Sequence, residues 1–340
     1  MFFAQVGHMN RKIKLLLYSL LLLSLCFILV PGAAWSQDDS NALDYLPSSQ
    51  QISGWEPLGN EELMHGSSIE WLFPEEYPLM MEFDLAWYAS ETYSNFQNEM
   101  TIEIFEFPTT SDAFGFYALS HIKYADIDPV TGITVKPYGS PPPSVIDTIR
   151  TIDSSYLEGY KDRFYFRLRI DDDTVDSTLI QVAVKLQGNL PNYPVQADMI
   201  GLLPRRDLVN GTERYVRGAY GLDLLLDWDG YDIFGYNEYD WKAVCGEYRL
   251  GSGEYFLLLI ARYDDSDTAA IAADRLQDRF SEKSWNTLIV PPLENGAHPR
   301  GFKDDTIAAF WNDGDKLWLC WDLTNQNALN AAMRQIEAIR

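Results

Sequence analysis

Arg163, Tyr165, Arg167 and Arg169 alternate with Phe164, Phe166, Leu168 and Ile170. At a period of two, the first set shares one face of a strand and the second set the other. Guanidinium groups aligned in this way fork onto carboxylates and phosphates, so the stripe is a candidate face for an anionic ligand or peptide. The competing reading is internal, with the arginines paired across strands to Glu99 and Glu103. Carboxylates form the second group of candidates. Asp227, Asp229 and Asp232 fall within six residues, and Asp171, Asp172, Asp173 and Asp176 are equally dense. Asp227, Asp229 and Asp232 are candidate ligands for Ca²⁺, which takes about six to eight oxygens. Neither cluster has EF-hand spacing, and helix caps and turns account for both. A carboxylate-dependent hydrolase would draw on Asp227, Asp229 or Glu103, because two carboxylates whose surroundings separate their pKa values do acid and base work. No spacing in the chain defines such a pair.

Other chemistry has no signature. Beyond the N-terminal stretch the histidines are His65, His121 and His298. They form no His-Glu-x-x-His and no pair at helical spacing, which argues against a zinc site of the usual kind. There is no Gly-x-Ser-x-Gly elbow, phosphate loop or dinucleotide fingerprint. The sequence therefore assigns no catalytic residue and no cofactor. Cys245 and Cys320 both fall in expected strands and are read either as one disulfide or as two buried thiols.

The start of the chain reads as an export signal over residues 1–36. Arg11, Lys12 and Lys14 precede the apolar run Leu15 to Val30, and Ala34 and Ser36 suit cleavage before Gln37. Two alternatives are an uncleaved anchoring helix and a lipoprotein at Cys26, where the bulky Leu25 fits poorly. The expected location is periplasmic or extracellular, with no stable membrane span after cleavage. The remaining chain carries 23 basic against 50 acidic residues, a net charge of −27. Such a surface repels nucleic acid and anionic headgroups, which excludes a nucleic-acid partner. With 46% hydrophobic and 14% aromatic residues, the chain has the means to build a large core.

The elements that must position these residues occur twice. The run ending at Asp322 matches the run ending at Arg169 at an offset of 153, and each leads into a final helix. Leu46-Pro47 to Gly54 and Leu203-Pro204 to Gly211 repeat the same spacing. Strands are expected at Phe83–Ser90, Glu99–Phe107, Trp241–Leu250 and Glu254–Tyr263. Helices follow at 113–124 and 268–280, with Thr109 to Asp112 and Asp264 to Asp267 as N-caps. A short strand (Ile133–Val135, Leu288–Val290), a hairpin and a last helix complete each copy. The fold class is α+β, a tandem internal duplication in which each repeat is a β-β-α-β-β-β-α antiparallel sheet with helices packed on one face. The expected organisation is a flexible stretch at 37–45, repeat 1 over 46–188, a linker over 189–202 and repeat 2 over 203–340.

Asp112-Ala-Phe-Gly-Phe-Tyr-Ala118 resembles the helix start of a family of uncharacterised bacterial exported proteins. Leu203-Pro204 with Asn210-Gly-Thr-Glu-Arg-Tyr-Val216 resembles a second segment of that family, with Thr212 where Ser is usual. The likeness spans roughly residues 46–340. It implies an exported protein and carries no activity or site residue with it. The expected function is binding of an unidentified ligand or envelope protein, with the ligand between the two repeats. The alternatives are the hydrolase above, also sited between the repeats, and an envelope scaffold.

Overall fold

A computed structural model describes residues 42–120, 148–151, 155–171, 176–191, 199–226, 232, 234–236, 238–290, 292–293, 298–304 and 306–339. The expected signal, the strand at Ile133–Val135, and Asp227 and Asp229 lie outside these residues. The first half holds β1 (Glu56–Pro57), β2 (Glu62–Met64), α1 (Tyr77–Glu82), β3 (Trp87–Ser94), β4 (Glu99–Glu106), α2 (Thr110–Leu119), β5 (Thr148–Thr151), β6 (Tyr156–Lys161), β7 (Phe164–Ile170) and α3 (Asp176–Asn189). The second holds β8 (Arg214–Val216), α4 (Ala219–Leu226), β9 (Lys242–Arg249), β10 (Tyr255–Arg262), α5 (Ser266–Glu282), β11 (Asn286–Leu288), β12 (Arg300–Lys303), β13 (Ile307–Asp313), β14 (Lys316–Leu323) and α6 (Gln326–Ile339). Among the described residues no helix is long and apolar enough to cross a membrane.

Each half forms one antiparallel sheet, and the two sheets share a strand order. The first runs β3-β4-β7-β6-β5, with β1 and β2 both on the outer edge of β3. The second runs β8-β9-β10-β14-β13-β12-β11. The protein is thus an α+β tandem duplication. Shared details fix the correspondence. Tyr93 and Tyr248 each donate a hydroxyl to the carbonyl of the Leu-Pro proline, Pro47 at 2.9 Å and Pro204 at 2.8 Å. Thr109 and Asp265 cap α2 and α5 by accepting from Asp112 N and Thr268 N, as short polar side chains before a helix should. The hairpin turns Asp162-Arg163 and Gly314-Asp315 each begin with a positive φ, +56° and +58°.

That last match corrects the repeat offset. Aligning the turns gives 152, so Arg167 corresponds to Leu319, which the strand pairs Glu103–Arg167 and Leu259–Leu319 support independently. At an offset of 153 every side chain of the strand is assigned to the wrong face, because the strand period is two. The final helices match at 150: Leu179, Val182, Ala183 and Leu186 are buried, as are Leu329, Ala332, Met333 and Ile336.

Helix placement also departs from the expectation of one covered face. Met100, Ile102, Ile104, Phe164, Phe166 and Leu168 form one core with Leu179, Ala183 and Leu186 of α3. Phe105 and Tyr165, on the opposite face, pack with Phe116 and Tyr117 of α2. The first sheet is therefore covered on both faces, which explains why β7 is buried at every position but Arg169. In the second half Phe280 of α5 stacks on Phe302 and Phe310. β10, apolar throughout its centre, lies mid-sheet between β9 and β14. The expected strand Phe83–Ser90 begins later, at Trp87, because Phe83 ends α1 and Asp84 turns the chain at φ +54°. β8 adds an edge strand beside β9, and β12 inserts between the expected short strand, β11, and the hairpin strand β13.

The two halves share a closed contact within one unit, residues 42–340. Gly115 on α2 lies under Phe83 and Tyr215, so an added Cβ would meet their rings at 2.5 and 2.9 Å. Glu82 reaches from α1 to the first turn of α4 and accepts from the backbone N–H groups of Tyr220 (2.8 Å) and Gly221 (3.0 Å). A carboxylate suits the positive end of a helix. Arg217 then bridges Asp84 (2.5 Å) and Asp112 (3.5 Å). Rings, the Glu82 carboxylate and the ion pairs of Arg217 occupy this contact where the sequence reading expected a ligand.

Candidate functional site

The arginine stripe folds into a buried charge network. Arg167 sits mid-strand on β7, with Glu103 of β4 and Glu158 of β6 directly opposite it on either side. Its Nε and Nη2 donate to Glu103 at 3.0 and 3.3 Å, and its Nη1 donates to Glu76 at 2.9 and 3.1 Å. The guanidinium lies 4.7 Å from the ring centres of both Phe73 and Phe105. Arg167 is 2% exposed and Glu158 is fully buried. Tyr88 donates its hydroxyl to Glu103 at 3.1 Å, and Tyr165 donates to Glu158 at 2.8 Å. Burial would lower the pKa of Arg167, but the charges of Glu103 and Glu76 outweigh it and hold the group well above its ordinary value. Burial, with Glu158 beside it, drives the Tyr165 hydroxyl well above its own. The network is thus a fixed ion cluster whose arginine stays charged and whose phenol stays protonated.

The rest of the stripe does not gather beside it. Arg163 lies in the hairpin turn, pairs with Glu106 at 2.7 Å and covers Phe164. Arg169 is exposed, 4.0 Å from Glu103 and over the Tyr156 ring. The anion-face expectation for Arg163, Tyr165, Arg167 and Arg169 therefore gives way to the internal one, with Glu76 and Glu106 as partners in addition to Glu103. Both oxygens of Glu103 are committed, which leaves it unsuited to the hydrolase role.

Cys245 and Cys320 are free and buried. They pair with Leu259 and Leu258, adjacent residues of β10, so they flank that strand and point to opposite faces. Strands two apart are separated by roughly 9.5 Å, beyond disulfide reach. Burial pushes the Cys245 thiol up to about 12 and Cys320 higher still. Asp232 accepts from Tyr236 N at 2.5 Å, closing a turn. Among the described residues no group of three or more His, Cys, Asp or Glu could hold a metal. Ahead of β9, Phe234 and Trp241 are fully buried and pack edge to face.

An open concavity lies elsewhere, at the end of the second half, with a volume of about 710 Å³. Three arginines line it from three segments: Arg206 in the loop after Leu203-Pro204, Arg249 at the end of β9 and Arg334 on α6. Arg249 N donates to Asp207 O at 3.0 Å, and Gln335 Nε2 donates to Arg249 O at 3.4 Å, which ties loop, strand and helix together. Leu208, Leu250 and the half-exposed Tyr255 supply apolar wall. Sequence reasoning missed this site because its arginines are 43 and 85 residues apart and form no local pattern; the Arg205-Arg206 doublet was the only local signal.

No protein-family model and no curated protein matches the chain. Among solved structures, one titled "Structure of crystal form I of TP0453" aligns over 82% of this chain and 94% of that one, at 9% identity and a TM-score of 0.24. A likeness that low carries no argument about fold or function.

Proposed function

We propose that the chain is an exported binding protein that receives its ligand in the second half, at the concavity bounded by α6, rather than between the halves. One observation carries this reading. Glu76 and Glu103 of the first half are closed in on Arg167, whereas the concavity presents polar groups around an open volume of ligand size. The expected export signal supports a location outside the cytoplasm. The test is native mass spectrometry of the full chain released from the envelope fraction, beside an assay with chromogenic esters and glycosides. The expected result is a small-molecule adduct lost on denaturation and no turnover above background. Turnover that disappears in Glu103→Gln would overturn the proposal in favour of the hydrolase.

A further inference from the structure

The duplication supplies an internal control for the concavity. In the first half the matching loop is stapled to the matching helix: Gln51 Nε2 donates to Asn189 Oδ1 at 2.7 Å, and Asn189 Nδ2 donates to Gln51 Oε1 at 3.2 Å and to Tyr45 O at 3.1 Å. In the second half Leu208 and Ile339 stand at those two positions, and neither side chain has an amide to make the staple. The positions of the three arginines hold Ser49, Ser94 and Val184 in the first half. The second copy therefore lacks this amide pair and carries three arginines around the concavity where the first copy has Ser49, Ser94 and Val184.

With a net charge of −24, most cations should find a carboxylate. Arg249 and Arg334 pair with none among the described residues, and Arg206 has the exposed neighbour Asp207 at 3.5 Å. The general negative field is screened over roughly 8–10 Å at ordinary ionic strength, so at close range the local cluster decides what binds. Three guanidiniums against one carboxylate leave two positive charges, which matches a dianion. Guanidinium forks fit the tetrahedral oxygens of a phosphate, and the apolar wall needs a carbon substituent to cover it.

We infer that the concavity between Arg206, Arg249 and Arg334 is a binding site for a phosphate monoester carrying an apolar or aromatic group. This deepens the binding reading above and rests on it. The ester is either a soluble metabolite or a lipid headgroup, and the experiment separates the two. The full chain is titrated calorimetrically with phenyl phosphate, with inorganic phosphate as the head alone, and is floated with vesicles of phosphatidylcholine with and without phosphatidate. The expected result is saturable one-to-one binding of phenyl phosphate, tighter than inorganic phosphate and weakened at least ten-fold in Arg249→Gln/Arg334→Gln. Arg262→Gln, which alters an exposed arginine of β10, should bind as the parent does. Flotation with phosphatidate that is lost in the double variant identifies the lipid source, and binding of phenyl phosphate without flotation identifies the soluble one. Absence of saturable binding, or equal binding by the double variant with an unchanged melting temperature, overturns the inference. A neutral or cationic adduct in the mass spectrum would overturn it while leaving the binding reading intact.

Discussion

Arg167 differs in kind from its counterpart, for the second half holds Leu319 there and Leu259 opposite. The corresponding layer of the two sheets is thus built once from ions and once from hydrocarbon. Removing one partner of a buried pair leaves the other charge unpaired, a loss of about 3–5 kcal/mol, whereas replacing both by apolar residues is often neutral. Arg167→Leu should therefore lower stability by about that amount, since both Glu103 and Glu76 lose their cation. Adding Glu103→Leu should recover part of the loss, and urea midpoints measure both. A double variant no more stable than the single one would mean that Glu76 and Glu158 dominate the cost. The alternation of residues 163–170 correctly separated the two faces of β7. It did not show which face meets solvent, because the cover over Arg167 comes from Phe73 and Glu76, some 90 positions away.

At the scale of elements, the segments Asp112–Ala118 and Asn210–Val216 meet in space. Gly115 of the first and Tyr215 of the second are in contact where α2 lies against β8. The glycine is required by this approach, since a methyl group there would sit inside two rings. Gly115→Ala should cost about 1–3 kcal/mol as overpacking. Gly188→Ala, at an open position near the end of α3, should be neutral or gain up to about 1 kcal/mol from helix propensity. Melting temperatures of the two variants should move in opposite directions or differ by several degrees. Elements with strong local signals were legible: the caps at Thr109 and Asp265, the turn at Gly314, and the apolar run of β10. The side of the sheet taken by each helix was not, because an amphipathic face reveals that a helix packs and not what it packs on. β1, β2 and β8 are two or three residues long and exist through pairing with β3 and β9, so no periodicity announces them.

The whole molecule depends on the contact between its halves, and Glu82 makes that contact sensitive to pH. Its carboxylate lies among the N-terminal amides of α4, with Gly218 and Gly221 leaving room that a Cβ would fill. Burial outweighs the amide hydrogen bonds and Arg217, and raises its pKa from 4.5 to about 7. The folded protein thus binds this proton more tightly than the unfolded chain. Stability from this group is highest below pH 4.5, declines as pH rises through the interval from 4.5 to 7, and is level above it. Asp112, also raised by burial, works in the same direction, whereas the lowered Asp315, held by Lys316 and Arg262, loses its contribution as pH falls. Glu82→Gln keeps one amide acceptor and removes the titration. The difference in melting temperature between parent and variant should therefore change between pH 5 and pH 8, with the parent losing ground as pH rises. A constant difference across that range would show that Glu82 remains ionised in the folded protein and that its amide contacts, not its burial, govern the contact between the halves.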